Sequence, residues 1–245
     1  MNNKNISVIL VETQLPENIG LTARVMFNFG IENLRLVNPK TEWPSEKAEA
    51  VAVDAQELVS GAEVYKDLRE ALEDVNYSFA YTARNRNMNK EFVSNQKVVS
   101  EIHDLYAEGK IALVFGGEAS GLSNEHLSLV SKCVTIDTHT NFSSLNLSHA
   151  VSIFCYSLFS HQSSSQNGVN SKLSEQSNKN ELIHFFEHLE TELENRGFFE
   201  PDEKMSKMKQ NLRNLFHRAD LSAREIATLR GVVRTLSTFK KTEEV

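Results

Sequence analysis

The stretch Ile111-Ala112-Leu113-Val114-Phe115-Gly116-Gly117-Glu118-Ala119-Ser120-Gly121-Leu122 decides the fold. It opens with five apolar residues that do not alternate with polar ones. Such a run fits a strand buried on both faces, as in a parallel sheet. The strand is expected over Ile111–Gly117. Gly116, Gly117 and Gly121 then let backbone approach backbone or a ligand closely. No Gly-Lys-Ser/Thr follows, so this is not a phosphate loop. The spacing G-G-x-x-x-G and its distance from the first strand exclude a dinucleotide fingerprint. Ser123, an N-cap residue type, then opens a helix over Ser123–Val130.

Working outward, similar apolar runs recur at Ile6–Glu12, Leu34–Asn38, Tyr77–Ala83 and Cys133–Asp137. Helical patterns lie between them at Glu17–Phe29, Lys47–Val59 and Asp67–Val75, the last with Asp67 as N-cap. Leu145–Ser160 is long and mostly apolar, and is expected as a buried helix. Strands alternating with helices predict an α/β domain with a mainly parallel sheet. Residues 160–180 are polar, rich in Ser, Asn and Gln, and without period, which reads as a flexible linker. Three helices follow: Glu181–Arg196, Asp202–Ala219 and Ser222–Phe239. The last opens with Ser222 and Glu225 in capping-box spacing.

The net charge of −7 argues at first against a nucleic-acid partner, but its distribution does not. Residues 204–241 carry ten Lys/Arg and two acids, whereas the first 203 residues carry 16 basic and 29 acidic residues. A basic tail on an acidic body is a plausible phosphate footprint, or else a solvated helical surface. Cys133 and Cys155 make no disulfide framework, and no C-x-x-C or H-x-x-x-H pair suggests a metal site. No apolar run approaches the roughly 18 residues of a membrane helix, and no signal peptide is read. A reduced cytoplasmic protein is the expectation.

Two further loops sit where strands end, the place where open α/β sheets bind ligands. Glu12 to Gly20 leads into Thr22-Ala23-Arg24, and Asn141 to Ser144 leads into Leu145-Asn146-Leu147-Ser148. Each has a bland reading. Arg24 suits an exposed helix face, Asn18 suits an N-cap, Ser143 or Ser144 suits the N-cap of the following helix, and Glu118 suits a charge near a helix N-terminus.

Together the segments carry a more specific message. V-E-T-x-x-P-E-N-I-G-x-x-A-R (Val11–Arg24), F-G-x-E-x-x-G-L (Phe115–Leu122) and S-S-L-N-L-S (Ser143–Ser148) resemble the three motifs of the SPOUT family of knotted methyltransferases. The tail, through Leu189-Glu190, Gly197-Phe198-Phe199-x-Pro201, Leu212-Arg213-x-Leu215-Phe216-x-Arg218-Ala219 and Leu229-Arg230-Gly231, resembles the TrmJ-like subgroup. At Gly117 the chain departs from the pattern, where related enzymes often carry a larger or charged side chain.

The resemblance implies a SPOUT domain over 1–162 with a C-terminal trefoil knot, a linker over 163–180 and a small helical tRNA-binding domain over 181–245. It implies S-adenosylmethionine as cofactor, held by Tyr81, Thr82, Ala83, Gly116, Gly117, Ile136, Ser143, Leu145 and Asn146. It implies ribose 2′-O-methylation in tRNA, at nucleotide 32 of the anticodon loop, with Arg24, Asn18, Ser144 and Glu118 in the catalytic constellation. Arg84 is a further candidate for a phosphate contact. A homodimer is implied, with Arg24 serving the opposite subunit, and no membrane. Ribosomal RNA as target, or a non-catalytic RNA-binding protein on the same fold, are the alternatives; a nicotinamide-dependent dehydrogenase lacks its fingerprint.

Overall fold

The computed structural model describes residues 3–83, 90–105, 109–164, 179–219 and 221–238. Seven strands form one sheet: β1 (Ile6–Val11), β2 (Asn33–Val37), β3 (Glu63–Tyr65), β4 (Tyr77–Tyr81), β5 (Phe92–Ser94), β6 (Ile111–Gly116) and β7 (Lys132–Thr135). Their order is β3-β2-β1-β6-β4-β7-β5, and every pairing is parallel. The stretch that opened the sequence reading, β6, lies between β1 and β4, in register from Ile111 to Gly116 against Ile6 to Val11.

Successive side chains of a strand point to opposite faces, so β1 can be buried throughout only if both faces are covered. All six of its residues are buried. Ile6, Val8 and Leu10 join one core cluster, and Ile9 and Val11 the other. The first face is covered by α1 (Pro16–Asn28), α2 (Glu46–Ala52), α3 (Gln56–Ser60), α5 (Asn95–Leu105) and α7 (Leu147–Ser164). The second is covered by α4 (Leu68–Ala71) and α6 (Asn124–Leu129), with Ile183 from α8 (Lys179–Glu194) completing that core. α8, α9 (Asp202–Ala219) and α10 (Ala223–Thr238) build a third, smaller core around Leu182, Phe185, Phe186 and Ile226.

The five expected strands are present, and the edge strands β3 and β5 are additional. The expected Lys47–Val59 helix is broken. α2 stops at Ala52, Val53 takes φ 55°, and a 3-10 turn over Val53–Ala55 precedes α3. Ala48, Ala52, Ala55 and Val59 still reach one core, so the apolar spacing indicated the buried face but not the break. α5 was not anticipated either. Asp67 does cap α4, its side chain accepting from the Glu70 N–H at 3.0 Å. Ser123 caps α6, and Ser222 with Glu225 opens α10 as a capping box. Most of the expected linker, residues 165–178, lies outside the described residues.

Candidate functional site

The carboxyl ends of β6, β4 and β7 lie side by side, and the loops leaving them enclose one pocket. Tyr81, Thr82 and Ala83 line it from β4, Gly116 to Leu122 from β6, and Val134 and Ile136 from β7. Ser143, Ser144, Leu145, Leu147 and Ala150 close the remaining side. Thus eight of the nine expected cofactor residues share the lining, as do Glu118 and Ser144. Phe115, Leu122, Val134, Leu147 and Ala150 were not anticipated as walls. Their apolar character signalled burial, and nothing local distinguishes a pocket wall from a core position.

The glycines permit the pocket by letting the loop fold onto the sheet. A Cβ on Gly116 would sit 2.3 Å from the carbonyl carbon of Gly121, and one on Gly117 would sit 2.3 Å from the Glu12 carbonyl oxygen. Both obstacles are backbone and cannot swing away. The departure at Gly117 therefore has a local cause: the end of β1 closes in on this loop and leaves no room for a side chain.

Tyr81 contributes a wall and is no acid–base group. Its ring stacks on Phe115 with centroids 4.6 Å apart, and its hydroxyl donates to Asn95 Oδ1 at 2.8 Å. Burial pushes its pKa well above the ordinary tyrosine value. The two thiols are equally inert: burial pushes Cys133 up to about 11 and Cys155 up to about 12.

A hydrogen-bond chain joins the three motifs behind the pocket. Glu118 accepts from the backbone N–H of Gln14 at 2.9 Å and of Leu15 at 3.4 Å, and from Asn18 Nδ2 at 2.6 Å. Asn18 Oδ1 accepts from Asn146 Nδ2 at 3.0 Å. Asn146 Oδ1 accepts from both the N–H and the hydroxyl of Ser148, at 2.9 and 2.8 Å. The physical need is plain at α1. Its N-cap residue is Leu15, which has no side-chain acceptor. Glu118, about a hundred positions away, accepts from the N–H groups of Gln14 and Leu15 just before the helix and places a negative charge at its positive end.

These contacts revise several local readings. α1 begins at Pro16, so Asn18 is not its N-cap but a buried bridge, 4% exposed. Asn146, not Ser143 or Ser144, caps α7, and it stands behind the pocket lining. Glu118 serves the N-terminus of α1 instead of a helix of its own. Arg24 is exposed on α1 and does not line this chain's pocket. Arg84 lies outside the described residues.

Comparison with known proteins agrees with this arrangement. Residues 5–156 match the SpoU rRNA Methylase family, and residues 180–244 match the C-terminal domain of the tRNA methyltransferase TrmJ. The chain is 34% identical over 242 residues to the tRNA (cytidine/uridine-2′-O-)-methyltransferase TrmJ of Pectobacterium atrosepticum, covering 98% of both. It is 34% identical over 239 residues to the tRNA (cytidine/uridine/adenosine-2′-O-)-methyltransferase TrmJ of Pseudomonas aeruginosa, covering 93% of this chain and 92% of the relative. The crystal structure of TrmJ from Z. mobilis ZM4 superposes with a TM-score of 0.85 at 33% identity, over 95% of this chain and 99% of that one. With both halves matched in one chain and in this order, the protein belongs to the SpoU methylase family of SPOUT RNA methyltransferases, in its TrmJ branch.

Proposed function

We propose that the protein methylates a ribose 2′-hydroxyl of tRNA from S-adenosylmethionine, at nucleotide 32 of the anticodon loop, accepting cytidine and uridine. The carrying observation is the convergence of the loops after β4, β6 and β7 on one slot, in a chain that matches TrmJ of Pectobacterium atrosepticum nearly end to end. The residues present fit the adenosyl group. Gly116 and Gly117 let the loop after β6 fold close against neighbouring backbone to form one side of the slot, Ile136 and Leu145 offer apolar walls, and peptide groups of the lining loops would pair with the adenine edge. When bound, the sulfonium supplies a methyl group that needs no further activation.

The chain's own task is then the acceptor, since a ribose hydroxyl is a poor nucleophile until its proton leaves. Arginine stays protonated at working pH, so Arg24 is assigned to bind the adjacent phosphate and orient the hydroxyl, with that phosphate assisting proton loss. Asn18 acts through position: both ends of its amide are engaged, which holds α1 against the Glu118 loop. Glu118 and Ser144 shape the substrate side.

Residues 111–160 form the trefoil knot in this reading, residues 1–162 the methyltransferase domain, 163–180 a linker and 181–245 the tRNA-binding domain. Two copies pair through α1 and α7, bringing Arg24 to the partner's pocket. The exposed side chains there support this: Leu21 and Phe27 flank Arg24, and Tyr156 and Phe159 of α7 lie beside them, joined through Phe29. Among the described residues no helix is long and apolar enough to cross a membrane, and the protein is assigned to the cytoplasm.

The test is to incubate purified protein with methyl-labelled S-adenosylmethionine and total tRNA, then map the product by mass. Label on the ribose of nucleotide 32 is expected; label confined to bases, or none, overturns the reading. Arg24→Ala should keep cofactor binding and lose methyl transfer by about 100-fold or more. Equal rates for variant and wild type would reject the role of Arg24.

A further inference from the structure

The basic tail, read from sequence as a phosphate footprint, is not uniformly available to RNA. Arg213, one of its cations and part of the Leu212–Ala219 motif, is only 7% exposed. Its guanidinium faces two carboxylates. Nε and Nη2 donate to the two oxygens of Glu190 at 2.7 and 3.0 Å, in a bidentate pair. Nη1 donates to Glu125 Oε1 at 2.8 Å and to Ser128 Oγ at 3.1 Å. All three guanidinium nitrogens are therefore engaged within the protein. Glu190 belongs to α8 and is itself buried, whereas Glu125 and Ser128 belong to α6 of the sheet domain.

Other contacts run across the same seam. His217 Nε2 lies 3.1 Å from the Ser128 carbonyl, Arg69 pairs with Glu187, and Ile183 sits in the core of the second sheet face. α6 is also the next element after the pocket loop. Leu122 lines the pocket, Ser123 caps the helix, and Glu125 lies in its first turn. Three positions along the chain thus separate a pocket wall, Leu122, from Glu125, a partner of the buried arginine.

We propose that Arg213, with Glu190 and Glu125, is a latch: a positioning residue that locks the helical tail onto α6. The exposed cations of α10, Arg224, Arg230 and Arg234, then stand at a fixed reach from the pocket. The inference rests on the reading that the tail holds RNA. A tail fixed in place presents its cations at high effective concentration relative to the pocket, and a tail merely tethered by the polar 165–178 segment does not. Unlatching therefore weakens substrate capture and leaves the chemical step alone.

Removing Arg213 would strand buried Glu190 and risk unfolding the tail. The informative variant cuts the body side only. Glu125→Ala with Ser128→Ala leaves the Arg213–Glu190 pair intact inside the tail. Two measurements are made on the full chain. First, spin labels at Glu73→Cys and Glu203→Cys, both exposed positions, report the body–tail distance; Cys133 and Cys155 are buried. A narrow distribution that broadens in the variant is expected. Second, KM for tRNA should rise about tenfold while kcat and S-adenosylmethionine affinity stay within about twofold. Arg213→Lys, which keeps the charge but not the fork, should fall between wild type and the double variant. An unchanged distance distribution, or an unchanged KM, overturns the latch. A wild-type protein that methylates no tRNA overturns the functional reading instead, and the distance distribution still decides whether the tail is locked.

Discussion

Two polar networks, one partly buried and one centred on a buried arginine, hold distant parts of this chain together, and they differ in kind. Behind the pocket, Glu118 is met by backbone N–H groups and the amide of Asn18, and Asn146 extends the chain. Under the tail, a guanidinium meets two carboxylates. The amide network fixes geometry through directional bonds and brings no cation to the pocket wall. The ionic network places opposite charges in a seam where no ligand is needed. A buried ion pair contributes little net stability over an apolar replacement, but breaking it on one side is costly. The first network therefore joins the loops around the pocket, whereas the second joins the C-terminal helices to α6.

The contrast is sharpest at Glu190. Glu190→Ala leaves Arg213 buried with only the outer carboxylate of Glu125, and should cost about 3 kcal/mol. Calorimetric melting should show the loss, and hydrogen exchange should place it in α8 and α9 while amides of β1 and β6 stay protected. Equal loss of protection in the sheet would mean that the two networks are not separable.

The amide network predicts a smaller effect with a different location. Asn18→Ala strips Glu118 of one donor and Asn146 of its acceptor, each in partly buried surroundings. About 2 kcal/mol should be lost, lowering Tm by roughly 4–8 °C for a chain of this size. Titration calorimetry should show weaker S-adenosylmethionine binding, because the 115–122 loop loses its tie to α1. Unaltered cofactor affinity would reduce this network to a mere packing feature.

The smallest expected effect is one of pH, at the helix that both networks border. His126 Nδ1 accepts from the Ser123 N–H at 3.3 Å, completing the α6 cap, and so must be unprotonated there. Burial holds its pKa below the ordinary value of 6.5, against the opposing pull of Glu12 and Glu125. The unfolded chain takes up this proton first, so the contribution is fully present above pH 6.5 and is lost as pH falls through the lowered folded value. His126→Gln, which keeps an acceptor, should flatten the stability profile as pH falls below 6.5. An identical slope in the variant would assign the dependence to another group. Asp74, held low by Arg35 and Lys110, acts in a separate window below the ordinary aspartate range.

Legibility followed the range of the interaction. The five long strands announced themselves because each carries its own apolar run. β3 and β5 did not, being three residues long, and β3 is largely exposed, with Val64 at 53%. Such strands exist because β2 and β7 offer a free edge, which no local pattern reveals. Missing α5 is a different matter: Val98, Val99 and Ile102 stand at helical spacing and are buried, so the signal was present. At the site, eight of the nine residues that the resemblance named for the cofactor line the pocket and Arg24 does not, while local reasoning offered Asn18 and Ser143 or Ser144 as helix caps and counted Arg213 in a basic tail read as a phosphate footprint or a solvated surface. Asn18 and Arg213 turned on what a side chain meets 20 to 130 positions away.

The sequence by itself determined where the five longer strands and most helices lie and which faces they bury, because apolar spacing and capping act within a turn or two of the backbone. Tertiary structure alone decided that Glu118 binds the entry to α1 and the Asn18 side chain, that Asn146 braces Asn18, and that Arg213 turns inward between two carboxylates. Hydrogen bonds and ion pairs act over about 3 Å, and only the completed sheet brings positions 18, 118 and 146, or 125, 190 and 213, within that distance.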